Sequence, residues 1–213
     1  MPLHSPLLRR LLAPLWRLLA RWAPTAEHWE RFDLTIEYRK FGRGSIASFK
    51  WYFQGASRVP VNSLDELKAW LIGCSYESDQ SLFASADHWQ HPSDFERLRR
   101  GDCEDHALWA WRKLIELGVD AEFVVGRHAS SAVGEHGHAW VLFRDEGGRE
   151  HLLEAVAKDA ASLVRPIEEA RHEYVPHFAV TKEYRTVAFG GYLEDTRRRN
   201  GAPSPGASRW GAA

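Results

Sequence analysis

Three of the 213 residues, Cys103, His138 and Glu154, carry the side chains that thiol-based acyl transfer needs. A cysteine sulfur attacks as the thiolate, and it needs a base to take its proton. Cys103 opens the stretch CEDHALWAWRKLIELG, which reads as a helix. A thiol at a helix N-terminus feels the positive end of the dipole, which favours the thiolate. His138 begins a strand-like run, HAWVLF, and Glu154 sits in the next one, HLLEAV, between Leu153 and Ala155. A carboxylate in so apolar a run calls for a partner, since burying an unpaired charge is costly. A hairpin turning at residues 146–147 sets positions 138 and 154 opposite each other. The roles that follow are attack by Cys103, proton removal by His138 and orientation of the imidazole by Glu154.

The elements that must hold these residues are legible in part. Asp102 can cap the Cys103 helix, acids crowd its first turn and Gly118 stops it. Ala107, Leu108, Trp111, Leu114 and Ile115 form its apolar stripe. Beyond Gly118 the period falls to two. Residues 121–128, 138–145 and 149–156 read as three strands, with the loop ASSAVGEHG between the first two and the turn EGG between the last two. A helix followed by antiparallel strands is an α+β pattern. Upstream, residues 32–38 (FDLTIEY) and 46–53 (IASFKWYF) are strand-like. Asn62 and Ser63 cap a helix LDELKAWLIGC, and Pro92 and Ser93 open a short helix that Gly101 ends.

GDCEDHALWAWRKLIELG, followed by HAWVLF and HLLEAV, resembles the transglutaminase-like superfamily, and its GDCED block looks most like the bacterial transglutaminase-like cysteine proteinases. The resemblance covers roughly residues 85 to 157. It implies a papain-like core, a Cys-bearing helix packed on an antiparallel sheet that carries the histidine and the acid. It also implies a cysteine peptidase or amide hydrolase with Cys103, His138 and Glu154 as nucleophile, base and acid. Much of the family has Asp at the last position, so Glu154 is a departure. The alternatives are amine transfer to a protein glutamine, or a non-catalytic peptide-binding module that kept the fold.

The acids beside the nucleophile pull against it. Asp102, Glu104 and Asp105 bracket Cys103, and like charge beside a thiolate raises its pKa. One reading makes them cap and first-turn dipole partners, with no cofactor required. The other, implied by the resemblance, makes Asp102 and Glu104 calcium ligands, calcium being a hard cation that takes carboxylate oxygens. The Cys103 backbone N–H is one oxyanion donor, and Trp89 or Gln90, in HWQHP, is the candidate for a second. His128, His136 and His138 lack a standard zinc spacing.

Composition sets the surroundings. Hydrophobic residues make up 44% and charged residues 27%, which suits a globular class, and the formal net charge of −1 argues against nucleic acid as partner. The expected partner is a protein or peptide substrate. Only two cysteines, Cys74 and Cys103, are present, so no disulfide framework is implied and a reducing, cytoplasmic setting is expected. Residues 1–24 carry a basic amphipathic helix. Over residues 5–23, Arg9, Arg10, Arg17 and Arg21 fall within an arc of about 120° opposite the leucines, and Pro14 kinks or splits the run. Those arginines interrupt the apolar stretch well before the roughly 20 residues a membrane span needs. Two covers are open for its apolar face: its own domain or a partner, or a membrane at the inner surface. Residues 25–195 are the expected catalytic domain. Residues 196–213, rich in Arg, Gly, Pro, Ser and Ala, read as a disordered tail.

Overall fold

The structure, a computed structural model, describes residues 27–46, 48–130 and 134–199. The amphipathic stretch over 5–23 and residues 200–213 of the expected tail lie outside the described residues.

Among the described residues, nine strands follow in chain order: β1 (Arg31–Asp33), β2 (Ser75–Tyr76), β3 (Arg100–Gly101), β4 (Asp120–Ser130), β5 (Gly134–Arg144), β6 (Glu150–Leu153), β7 (Val164–Pro166), β8 (Tyr174–Val180) and β9 (Thr186–Phe189). Seven form one sheet in the order β1-β9-β8-β4-β5-β6-β7, every neighbour antiparallel, while β2 and β3 pair in parallel. The expected α+β architecture is what the structure has: the Cys103 helix (Cys103–Glu116) packs against β4 and β5.

Alternation along the two central strands divides the core. Phe123, Val125, Ala139, Val141 and Phe143 face the Cys103 helix, whereas Val124, Trp140 and Leu142 face a second apolar layer with Tyr174 and Phe189. The Cys103 helix is buried almost all round, from Glu104 to Leu114. Its far side is covered by the helices Leu64–Ile72 and Pro92–Leu98, where Trp70 stacks on Trp109 at 3.9 Å between centroids. So deep a helix must satisfy its polar residues internally. Lys113, 1% exposed, bonds Ser57, the Val59 carbonyl and Glu116, and lies 3.4 Å from Glu96. Glu96 in turn accepts from Ser57, the Arg58 N–H and the Trp109 indole.

Two helix ends follow the expected chemistry, whereas the helix opened by Pro92 stops at Leu98, with Arg99 at φ +53°, ahead of the expected Gly101. Ser63 accepts from the Glu66 N–H, Glu66 reaches back to the Asn62 N–H at 2.8 Å, and Gly118 takes φ +79° just past the Cys103 helix.

Four expectations are corrected. The strand expected over 32–38 covers only β1, and a 3-10 turn (Tyr38–Lys40) ends the segment. Residues 46–53 make a 3-10 turn (Phe49–Phe53), because Phe49 and Tyr52 plug an aromatic cluster with Trp89, Trp111 and Phe123. The loop expected over 129–137 is largely strand, since β4 runs on to Ser130 and β5 starts at Gly134. The helix Gly190–Arg199 takes up the first four residues assigned to the tail. Among the described residues, no helix is long and apolar enough to cross a membrane.

Candidate active site

Cys103 is the first residue of its helix, and the Ala139 main chain is near enough to its sulfur to favour the thiolate slightly. The residue before Ala139 is His138. Cys103 and His138 therefore line one cavity of about 200 Å³, together with Trp89, Glu104, Gly126 and His177. Gly126 faces His138 across the β4–β5 ladder, and a Cβ there would meet the Val175 carbonyl at 2.2 Å and the Trp140 ring at 2.8 Å. The larger depression that includes Asp33, Tyr38 and Tyr184 holds neither thiol nor imidazole.

His138 is buried, with its ring 6.2 Å from that of Trp140 and nearly parallel to it. Its Nε2 lies 2.8 Å from Glu154 Oε2. The pairing comes by a different route from the one expected. The β5–β6 register sets Val141 opposite Leu153 and Arg144 opposite Glu150, two residues off the arrangement that would align 138 with 154. A slip of two keeps every side chain on its face, so Glu154, one residue past the end of β6, reaches His138 on the diagonal.

Glu154 holds a second partner that no sequence pattern announces. Tyr174, fully buried at the start of β8, donates its hydroxyl to the same Oε2 at 2.7 Å. Burial pushes the Glu154 carboxyl up, but the His138 hydrogen bond and charge, followed by Tyr174, hold it below the usual range. Burial also drives the Tyr174 phenol up, as does the charge of Glu154, so it remains a donor.

At the nucleophile the field runs the other way. Burial raises the Cys103 thiol well above its ordinary value, and the Glu104 and Asp102 charges raise it further. Glu104 Oε2 lies 3.2 Å from the sulfur. Glu104 is pushed to about 10 by burial and by Asp102, Asp105 to about 8 by burial, and Asp102 to about 6 by burial.

The cap reading of Asp102 is corrected here. It occupies the N-cap position, but its side chain makes no cap hydrogen bond and its Oδ1 is buried without a partner. Asp79, which opens the short helix Asp79–Phe83, and Asp87, in the loop after it, complete a carboxylate cluster. Asp79 can share one ion with Asp102 and Asp105, or with Asp87 and Glu104, through oxygens within 4.8 Å of one another. Asp79 Oδ1 is a second buried orphan. An oxygen-rich set with orphaned buried acceptors fits a hard divalent cation such as calcium.

The two oxyanion candidates part company. Trp89 lines the cavity, with its indole N–H given to Asp87 Oδ1 at 2.8 Å. Gln90 is buried and faces inward. Its backbone N–H bonds Asp105 Oδ1 at 2.7 Å, and its side-chain amide bonds the Arg100 carbonyl and Asp105. Its donors serve Asp105, which explains why the carboxylate can lie under the helix.

No family model matches the chain, and neither does any curated protein. Among solved structures, it is similar to Legionella pneumophila LapG, at 20% identity and a TM-score of 0.45, over 62% of this chain and 71% of that one. The calcium-bound form of LapG aligns at the same identity and TM-score over 73% of this chain and 81% of that one. A candidate cysteine protease from Cytophaga hutchinsonii aligns at 15% identity and a TM-score of 0.36, over 72% of this chain and 44% of that one. What the site can do rests on the geometry of its own residues.

Proposed function

We propose that the protein is a cysteine peptidase or amide hydrolase of the transglutaminase-like kind, acting on a protein or peptide substrate through Cys103, His138 and Glu154. One observation carries the reading. A buried imidazole, fixed at Nε2 by a carboxylate, shares a small cavity with a thiol at a helix N-terminus. A merely structural histidine has no need of a charged orienting group, and a merely structural cysteine has no need of an opening.

With Nε2 bound to Glu154, Nδ1 is the proton carrier. His138 Nδ1 takes the Cys103 proton as the sulfur attacks the substrate carbonyl, forming a C–S bond and an oxyanion. The Cys103 backbone N–H would receive that oxyanion, because the first amides of a helix have no intrahelical acceptor. Collapse breaks the C–N bond, and His138 returns its proton to the departing amine. A water, deprotonated by His138, then attacks the thioester, releasing a carboxylic acid and restoring the thiol. Glu154 stays ionised throughout and steadies the imidazolium, with Tyr174 holding the carboxylate in place.

Asp79 would hold calcium together with Asp87 and Glu104, or with Asp102 and Asp105. Bound there, the cation would offset the carboxylate field that raises the Cys103 thiol. Without it, Glu104 keeps a proton at neutral pH and the thiol stays largely protonated.

Amine transfer is the second reading, since the same thioester can be opened by an amine. The two separate in one experiment. Casein is incubated with the protein, calcium and dansylcadaverine. Hydrolysis gives new amino termini and no dansyl label, amine transfer gives the reverse, and Cys103→Ala abolishes either. New termini that persist in Cys103→Ala would end the thiol reading.

A further inference from the structure

The cavity at Cys103 does not end there. Lys40, His177 and Phe178 line it and also line a second depression of about 390 Å³, which extends along β8 to Arg39 and Asp195. The two spaces adjoin across these three residues, and charge is distributed unevenly between them. The thiol end carries Asp87 and Glu104, and the far end carries Arg39 and Lys40.

Each charge in the far end can be accounted for. Asp195 is already spent: its Oδ2 accepts from Arg127 Nε at 2.6 Å and lies 2.9 Å from His177 Nε2. His177 is thereby held as part of the wall. Arg39 and Lys40 stand exposed on the 3-10 turn Tyr38–Lys40, and neither has an ion-pair partner among the described residues. A cationic head exposed at the rim of such a depression is matched by an anion, and a carboxylate forms the paired hydrogen bonds that a guanidinium offers.

We infer that Arg39 and Lys40 form a substrate subsite that selects an acidic residue, Asp or Glu, close to the bond that Cys103 attacks. The inference rests on the peptide-substrate reading above and names the class of peptide. His177, anchored by Asp195, separates this subsite from the thiol end and fixes the path of the peptide between them.

The test is binding, so it does not depend on turnover. Fluorescein-labelled Ala/Gly decapeptides, each with one Glu, Gln or Lys walked along the chain, are titrated by anisotropy against the full-length Cys103→Ala protein in low salt. At one or two positions the Glu peptide should bind roughly 3- to 10-fold tighter than its Gln counterpart, the size of one or two partly exposed charge pairs. That ratio should fall to near one in Arg39→Gln/Lys40→Gln. It should invert in favour of the Lys peptide in Arg39→Glu/Lys40→Glu, and shrink in 0.5 M salt as screening sets in. Equal affinity for Glu and Gln peptides at every position, or a ratio unchanged by the charge-reversed pair, would overturn the subsite. Failure of the hydrolase reading looks different: a selective peptide would bind yet remain uncut by the wild-type protein.

Discussion

Glu154→Gln is the perturbation with the most to say about mechanism. The substitution preserves shape and leaves an oxygen able to accept from Tyr174, but it removes the charge 2.8 Å from His138 Nε2. A pair of unit charges with centres about 4 Å apart is worth about 4 kcal/mol at an effective dielectric of roughly 20. All of it is lost from the imidazolium that forms as the thiol gives up its proton. At about 1.4 kcal/mol per factor of ten, the ceiling is close to a thousandfold in rate, and the hydrogen bond an amide can still make brings the expectation to about 10²–10³. The assay is the rate of casein cleavage across pH, with melting temperature followed on the same samples. Glu154 has a depressed pKa in the folded state, so its contribution to stability is present above the unfolded carboxyl value and disappears as pH falls through the folded one. The melting gap between wild type and Glu154→Gln should therefore be widest near neutrality and close in acid. A variant that cleaves at the wild-type rate, or melts with a gap independent of pH, would refute the claim that a charged Glu154 serves His138.

Further outcomes follow from the same structure. Tyr174→Phe removes one donor to a buried carboxylate, which costs about 1.5–3 kcal/mol, so melting should drop by roughly 3–12 °C; because His138 keeps Glu154, cleavage should fall far less than in Glu154→Gln. Calcium at a hundredfold excess over its Kd should raise the melting temperature by roughly 5–10 °C, a gain that Asp79→Asn/Glu104→Gln abolishes; identical melting in calcium and in chelator would remove the cation from the account. Lys113→Met leaves Glu96 buried without its cation, and with three other donors remaining the loss should sit near about 3 kcal/mol, or roughly 6–12 °C of melting temperature by calorimetry.

The parts of the fold that local periodicity controls could be read from the sequence. The capped helix Leu64–Ile72, the Cys103 helix and the three strands after Gly118 all have clean apolar patterns and recognisable ends. The segments that failed are those whose conformation is set by distant packing. Residues 46–53 alternate like a strand, yet Phe49 and Tyr52 fold into a 3-10 turn because the aromatic cluster under the sheet takes both rings. Strands β8 and β9 went unseen, and Tyr174 with them, since a short strand broken by Pro176 gives no strong alternation. Glu154 was found by a register two residues out, and only because an even slip preserves the face. The acids of the GDCED block are visible, but Asp79 opens a separate short helix and Asp87 lies in a loop, and their spacing from the block says nothing about convergence.

The central claim is that Cys103 is activated by His138. Differential alkylation tests it directly, because the protein carries its own control: Cys74 is buried, its thiol is raised by burial, and it lies outside the cavity. The full-length protein, with calcium, is pulsed with iodoacetamide at pH 7, and each cysteine is quantified by mass spectrometry. Cys103 should label at least tenfold faster than Cys74, and His138→Ala should bring Cys103 down to the control rate while the melting temperature stays within a few degrees. Equal labelling of the two cysteines, or a Cys103 rate indifferent to the loss of His138, would contradict the account.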